Sequence, residues 1–474
     1  MAYSVLSTEL TSKISKLVKK NNGIYFTPPS CVNKNIQLLL PFIAELKLPV
    51  INVLEPSCGS GEYITALHKE CPQLNITGIE YNETIYNAIL TLNDTNVTIC
   101  NLDYLQYTTN IKYELIIGNP PYYVMKKSDV DSKYYPYFEG RPNIFILFII
   151  KSLSLLTDNG ILSFILPKNF LNCLYYDKTR KYIAEHFKIL HIVDCDDKYI
   201  ETQQDTIILI LQPFQRLSQT IQPFQRLSQT MPEIETAISK EEFGSTFSKV
   251  DEIETAISKE EFGSTFSKVD EIESSISKEM FGSTFEKVDY MLDINNYTIF
   301  ADKSSILQIK NLYNNSTSLC ELGFKVSVGT VVWNQCKDIL TDDDTKTRLI
   351  YSSDINNGKL IKKKYTNDEK KNYINKPGIV RPMIVINRGY GVGEYKFNYC
   401  LINCDTDYLI ENHLICIECI NSTDYDKATL IAKYEKIVES LNDDRTAEFI
   451  NIYFGNNAIN TTELNNILPI YLSK

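Results

Sequence analysis

Tyr113-Glu114-Leu115-Ile116-Ile117-Gly118-Asn119-Pro120-Pro121-Tyr122 is the stretch whose reading decides the fold. Its apolar half predicts a buried strand. The two prolines cannot continue a hydrogen-bonded ladder, so the chain must turn there. The turn leaves an asparagine amide, the neighbouring carbonyls and an aromatic face at the carboxyl edge of a sheet, where open α/β sheets put their ligands. Such a set suits a flat ring that carries an amino group. Two blander readings compete: any strand can end in Asn-Pro, and Pro-Pro-Tyr also occurs in proline-rich ligand segments, which are exposed and polar.

Working outward, strands and helices alternate. Ile51–Leu54, Ile76–Glu80, Val97–Cys100 and Leu115–Ile117 read as strands, and a helix begins at Ile144. Ile161–Leu166, Ile189–Val193 and Thr206–Leu211 continue the series. This order predicts a mostly parallel sheet flanked by helices. Val53-Leu54-Glu55-Pro56-Ser57-Cys58-Gly59-Ser60-Gly61 leaves the first strand and enters a helix. Gly59 and Gly61 let backbone pass close beneath a ligand, and Glu80, at the tip of the second strand, is placed for ribose hydroxyls. The third glycine of a dinucleotide fingerprint is missing, and Glu55 would repel pyrophosphate. An acid there suits a cofactor with a cationic amino-acid end, as S-adenosylmethionine has. Asp103 is placed to accept from an adenine amino group.

The 474 residues, 43% hydrophobic and 23% charged, describe a globular protein of two or three domains. The first residues lack the basic start and apolar core of a signal peptide. The apolar run Ile144–Leu156 is interrupted by Lys151 and too short to span a bilayer. With twelve scattered cysteines, these features predict reduced thiols and a cytoplasmic location. Cys400, Cys404, Cys416 and Cys419 invite a zinc site, but Leu414–Cys419 reads as a strand that turns its two cysteines apart, so no metal is expected.

The net charge of −11 is unevenly spread. Residues 212–221 and 222–231 are a near-perfect decapeptide repeat, and 233–251, 252–270 and 271–289 are three copies of one 19-residue unit. Each copy has five acids and two lysines, so the three carry −9 of the −11. The expected organisation is a catalytic domain at 1–215, an acidic repeat connector at 216–292, read as short helices or one interrupted amphipathic helix, and an α+β domain at 293–474.

With these motifs in order, the chain resembles the gamma-class, Taq-like adenine-N6-specific DNA methyltransferases of restriction–modification systems, in particular those of large DNA viruses. Gly23-Ile24-Tyr25-Phe26-Thr27-Pro28 matches the N-terminal motif, residues 55–61 the cofactor loop, and Asn119 to Tyr122 the catalytic motif. Gly160–Pro167 resembles the next core strand, and Tyr199 sits where the family carries an aromatic that stacks on the extruded base. The resemblance implies a Rossmann-like S-adenosylmethionine-dependent sheet followed by a target-recognition domain. It implies S-adenosylmethionine held by Tyr25, Thr27, Glu55, Ser57, Gly59, Gly61, Glu80, Asp103 and Asn119, with Asn119, Pro120, Pro121 and Tyr122 catalytic. Tyr122, Tyr199, Trp333, Lys337, Arg381 and Arg388 are the base-stacking and DNA-contacting residues expected. Partners expected are double-stranded DNA and a separate cognate endonuclease, with a monomeric chain in host cytoplasm or a viral factory and no membrane. Methyltransferases that use this chemistry on an RNA base or a glutamine amide stay open as alternatives, as does a non-catalytic DNA-binding specificity subunit.

Overall fold

The computed structural model describes residues 3–195, 199–202, 204–214, 290–356, 358–388, 398–453 and 459–472. The acidic repeats, and the helices expected in them, lie outside the described residues. Met1–Phe214 and Asp289–Lys474 fall into one compact unit.

The core is a seven-stranded sheet. In chain order its strands are β1 (Asn52–Glu55), β2 (Asn75–Glu80), β3 (Val97–Asn101), β4 (Tyr113–Gly118), β5 (Leu156–Pro167), β6 (Phe187–Cys195) and β7 (Thr206–Pro213). Their spatial order is β3-β2-β1-β4-β5-β7-β6. All neighbours run parallel except β7, which is antiparallel to both β5 and β6. Order reverses between β1 and β4, so a crevice opens at their carboxyl ends, the place where such sheets bind ligands. Every residue of β4 is buried, as expected for a strand covered on both faces. Each buried Ile or Leu there contributes roughly 1.5–3 kcal/mol.

Helices supply the cover. α1 (Val5–Lys13) and α2 (Lys16–Asn22) are capped by Ser4 and Ser15. α3 (Pro29–Glu45) starts on proline and buries Cys31, Val32, Asn35, Ile36, Leu39 and Ile43, a helical stripe. α4 (Glu62–Glu70) springs from Gly61, α5 is Glu83–Ile89, and α6 (Ile144–Leu155) is buried nearly all round. Among the described residues no helix is long and apolar enough to cross a membrane.

The C-terminal part is α+β, as its texture predicts. One four-stranded sheet orders Phe324–Val328, Leu414–Cys419, Met383–Asn387 and Tyr399–Ile402; another orders Leu340–Thr341, Tyr373–Ile374, Thr347–Ile350 and Tyr408–Ile410. Helices at 427–441, 444–453 and 461–466 close the chain. The boundary expected at 292/293 falls inside the first strand of a hairpin, Met291–Ile294 with Tyr297–Phe300.

That hairpin packs on α7 (Asp177–His186) through Arg180, which is fully buried. Its guanidinium donates to the carbonyls of Phe170 and Cys173 (both 2.8 Å) in the segment after β5 and of Thr298 (2.5 Å) in the hairpin. Asp177 accepts the Thr298 N–H (2.8 Å), and the Phe170 and Phe300 rings meet edge to face. A buried cation with so many carbonyl partners is strongly destabilising to remove, because each carbonyl loses its donor.

Candidate active site at the carboxyl edge of the sheet

The site assembles where β1 and β4 end. Glu55 closes β1, and the chain then turns through Gly59 (φ 51°) and Gly61 (φ 75°) into α4. Gly61 is in the left-handed region, and a Cβ there would sit 2.4 Å from Leu92 Cδ1, so a side chain would be strained and would displace that leucine. The Cys58 N–H donates to the Ile79 carbonyl and the Gly59 N–H to Glu80 Oε2, both at 2.9 Å, which ties the turn to the tip of β2. Ser57 Oγ donates to the Asn119 carbonyl (3.1 Å), joining the turn to the loop after β4.

The N-terminal motif runs beneath that loop. Gly23 (φ 64°) ends α2, and a Cβ there would meet the Tyr122 nitrogen at 2.6 Å. This close passage lets the Asn119 Nδ2 donate to Thr27 Oγ1 (3.1 Å) and the Tyr25 carbonyl (3.4 Å). A carbonyl only accepts, so the amide is oriented with Nδ2 inward and Oδ1 facing the opposite way. Oδ1 receives the Tyr122 hydroxyl at 2.5 Å, and that hydroxyl also lies 2.8 Å from the Ile165 carbonyl. The Tyr122 ring stands edge-on to Phe145. Tyr199 is buried and meets the Asn119 Nδ2 through its hydroxyl (3.4 Å) rather than its ring face.

The electrostatics are dominated by buried acids. Glu55 is 3% exposed and its Oε2 has no hydrogen-bond partner. Burial raises its carboxyl well above the usual range, and the nearby Glu80 and Glu62 add to the effect. Burial likewise pushes Glu80 up to about 7, against the lowering effect of the Asn82, Gly59 and Tyr81 amides. Asp103 is half-buried and its Oδ1 caps a short helix by accepting the Leu105 N–H (2.8 Å).

The structure thus brings together Tyr25, Thr27, Glu55, Ser57, Gly59, Gly61, Glu80, Asn119, Tyr122 and Tyr199, with Asp103 at the end of neighbouring β3. Of the residues expected in the C-terminal part, Trp333, Lys337 and Arg381 have contacts of their own. Trp333 is half-buried and packs against the small core of Val331, Leu349, Tyr351, Ile374 and Leu409. Lys337 is paired with Glu369 (2.5 Å), and Arg381 with Glu418. Arg388 lines a groove of about 930 Å³ with Tyr175, Lys178, Lys181, Asn296 and Glu321.

Two contributors were not singled out from the sequence. Lys151 Nζ donates to the carbonyls of Tyr104 (2.6 Å), Leu105 (3.0 Å) and Tyr107 (2.6 Å), pinning the loop that carries Asp103. Burial draws its ammonium down to about 8. Ser7, fully buried on α1, donates to Ser60 Oγ (2.7 Å) and, with Ser4, lies 2.5 Å from Glu62 Oε1, fastening the first helix to the glycine turn. The N-cap position of Ser4 was the legible signal.

The sheet order, the glycine turn at its switch point and the Asn-Pro-Pro-Tyr loop beside it define a Rossmann-like methyltransferase domain. Residues 8–200 match the Eco57I restriction-modification methylase family, so this stretch is a methylase domain of the restriction–modification type. Curated relatives agree. The modification methylase CviBIII of Paramecium bursaria Chlorella virus NC1A is 30% identical over 194 residues, covering 38% of this chain and 47% of that protein. The type II methyltransferase M.CvrRI of Paramecium bursaria Chlorella virus XZ-6E is 30% identical, covering 39% and 46%. M.AccI of Acinetobacter calcoaceticus is 31% identical, covering 34% and 32%. The chain spans about half the length, or less, of these relatives.

The family implies S-adenosylmethionine, and the residues fit it. The unpartnered, buried Oε2 of Glu55 among like charges suits a cationic amino-acid end.

Proposed function

We propose that this chain is a DNA methyltransferase that transfers a methyl group from S-adenosylmethionine to the N6 amine of an adenine flipped out of duplex DNA. The observation that carries the reading is the Asn119 amide, fixed by the Tyr25 carbonyl so that Oδ1 faces away from the N-terminal motif. The bound cofactor supplies an electrophilic methyl on a sulfonium. Glu55 and Ser57 would hold its amino-acid end, Glu80 its ribose and Asp103 its adenine. Asn119 Oδ1 and the Pro120 carbonyl accept the two N–H bonds of the target amine. That would localise its lone pair on the nitrogen, which would take the methyl in line as the sulfonium leaves as a neutral thioether and one N–H proton passes to solvent. Holding reactants in such an arrangement is worth roughly 7–11 kcal/mol of barrier. No cysteine adduct is needed.

A base inside a duplex cannot reach Asn119, so it must be extruded at a cost of a few kcal/mol. Stacking on Tyr122 offsets this by about 1–3 kcal/mol. The C-terminal α+β part is the target-recognition domain in this reading, and a separate endonuclease would complete the system. Asn119→Ala tests the chemistry: labelled methyl transfer to DNA should fall at least a thousandfold while calorimetric binding of S-adenosylmethionine stays within about threefold. Retained transfer would remove Asn119 from the mechanism.

A further inference from the structure

If the C-terminal part docks on DNA, its phosphate-binding charge has to come from its own cations, and several of them are already engaged. Lys325 and Arg381 share Glu418, Lys337 faces Glu369, Lys371 faces Asp342, Lys427 faces Asp405 and Arg445 faces Asp443. Lys370 sits over the rings of Tyr351 (4.1 Å), Tyr365 (4.5 Å) and Trp333 (5.9 Å). One segment concentrates cations that are not engaged in this way. Lys359-Leu360-Ile361-Lys362-Lys363-Lys364 carries four exposed lysines in six residues. Among the described residues, no carboxylate lies within ion-pair distance of any of the four.

A lysine run is ordinarily a solvated face on a loose loop. Here the backbone is held on several sides. Lys359–Leu360 pairs antiparallel with Ile355–Asn356 around Gly358 (φ 74°). The Ile361 N–H donates to the Asp354 carbonyl (2.8 Å), and the Ile361 carbonyl accepts from Arg348 Nη2 (2.8 Å). Asn372 Nδ2 donates to the Lys363 carbonyl (3.0 Å). Lys362 Nζ donates to the Tyr373 hydroxyl (2.8 Å) and lies over that ring, so its stem packs inward. Lys359, Lys363 and Lys364 are left as free ammonium groups on a braced support.

We infer that Lys359, Lys363 and Lys364 form a phosphate-binding rail that seats the duplex backbone on the C-terminal domain. This inference rests on the reading of the chain as a DNA methyltransferase and names the surface that reading lacks. The segment reaches up to about 17 Å when extended, against one backbone charge per roughly 1.7 Å of duplex axis. The net charge of −11 does not oppose it. Screening confines each charge to about 8–10 Å at moderate salt, so the local surplus sets the interaction. Phosphate contacts of this kind position the duplex without reading its sequence.

The test uses the full chain carrying Lys359→Gln, Lys363→Gln and Lys364→Gln together. Binding to a 30-base-pair duplex is followed by anisotropy from about 50 to 200 mM salt, and methyl transfer to plasmid DNA by label. Each lost phosphate contact removes about 0.9 from the slope of log K against log salt, so the slope should shrink by about 2–3. KM for DNA should rise at least tenfold, with kcat at saturating DNA and the Kd for S-adenosylmethionine within twofold of wild type. The three Lys→Arg replacements together should restore slope and KM, which a folding defect would not allow. An unchanged slope and KM in the Gln variant overturn the rail. So does a slope change seen with single-stranded RNA but not with the duplex, or a wild type that does not bind duplex at all. If the wild type binds duplex but places no label in it, the functional reading falls, while the binding slope still decides the rail.

Discussion

Replacing Glu55 by Gln separates a cofactor ligand from a structural acid, because the two roles predict opposite signs. The Glu55 carboxyl is 3% exposed, its Oε2 has no partner, and Glu80 and Glu62 press further negative charge on it. In the free protein the group is therefore a burden: an unsatisfied buried acceptor costs about 1–3 kcal/mol. Gln keeps the volume and removes the charge, so the free protein should be as stable as wild type or more so. Binding should suffer instead. A hydrogen bond between charged partners contributes about 1.5–3 kcal/mol, which corresponds to roughly a 10- to 150-fold rise in Kd for S-adenosylmethionine. Isothermal calorimetry on the DNA-free protein gives the number. A second ligand, 5′-methylthioadenosine, lacks the amino-acid end and should bind both proteins within about threefold. Because burial holds the Glu55 carboxyl protonated more readily than in water, wild-type binding of the cationic ligand should also release a proton, seen as a buffer-dependent heat that the Gln variant lacks. Equal weakening for both ligands, or a destabilised protein with unchanged affinity, would refute the assignment.

Two further outcomes follow from the same site. Tyr122→Phe removes the hydroxyl that occupies Asn119 Oδ1 but keeps the ring; the target amine then has no competitor worth about 0.5–1.5 kcal/mol, so KM for DNA should fall roughly 2- to 10-fold with kcat retained, and a loss of activity as large as that of Tyr122→Ala would contradict this. Glu80 gives a pH signature: its carboxyl titrates near 7 in the folded state against a reference of 4.5. Below about 4.5 it is protonated folded or unfolded; as pH rises toward 7 only the unfolded chain ionises, so stability is lost across that window, by up to about 3 kcal/mol at 1.36 kcal/mol per unit. The stability difference between Glu80→Gln and wild type in urea melts should therefore grow in favour of the variant from pH 4.5 to 7 and level off above; a constant difference would show that Glu80 is not buried as described.

Much of the catalytic half was legible because its signals are local. The strand of Tyr113–Gly118, the glycine turn at residues 57–61 and the apolar runs at Ile161, Ile189 and Thr206 each carry their own period and punctuation, and each is a strand or turn in the structure. Leu414–Cys419 is likewise a strand. What sequence reading missed is long-range. Lys151 registers along the chain only as an interruption of an apolar helix, yet in space it satisfies three carbonyls behind Asp103. Arg180 gives no local sign that it will be fully buried against a hairpin more than a hundred residues away. For Trp333, Lys337 and Arg381 residue type carries no sign of the core or carboxylate each one contacts. The lysines at 359–364 are equally visible in the sequence; what the structure adds is the backbone bracing beneath them.

The central claim is that the amine of adenine in duplex DNA receives the methyl group. The most direct measurement is incubation of the full chain with methyl-labelled S-adenosylmethionine and unmethylated plasmid DNA, digestion to nucleosides and chromatography with mass detection. The account predicts label in N6-methyldeoxyadenosine alone, and none when Asn119→Ala replaces wild type. Label in a methylated cytosine, or label recovered only in RNA or protein offered under the same conditions, would contradict it.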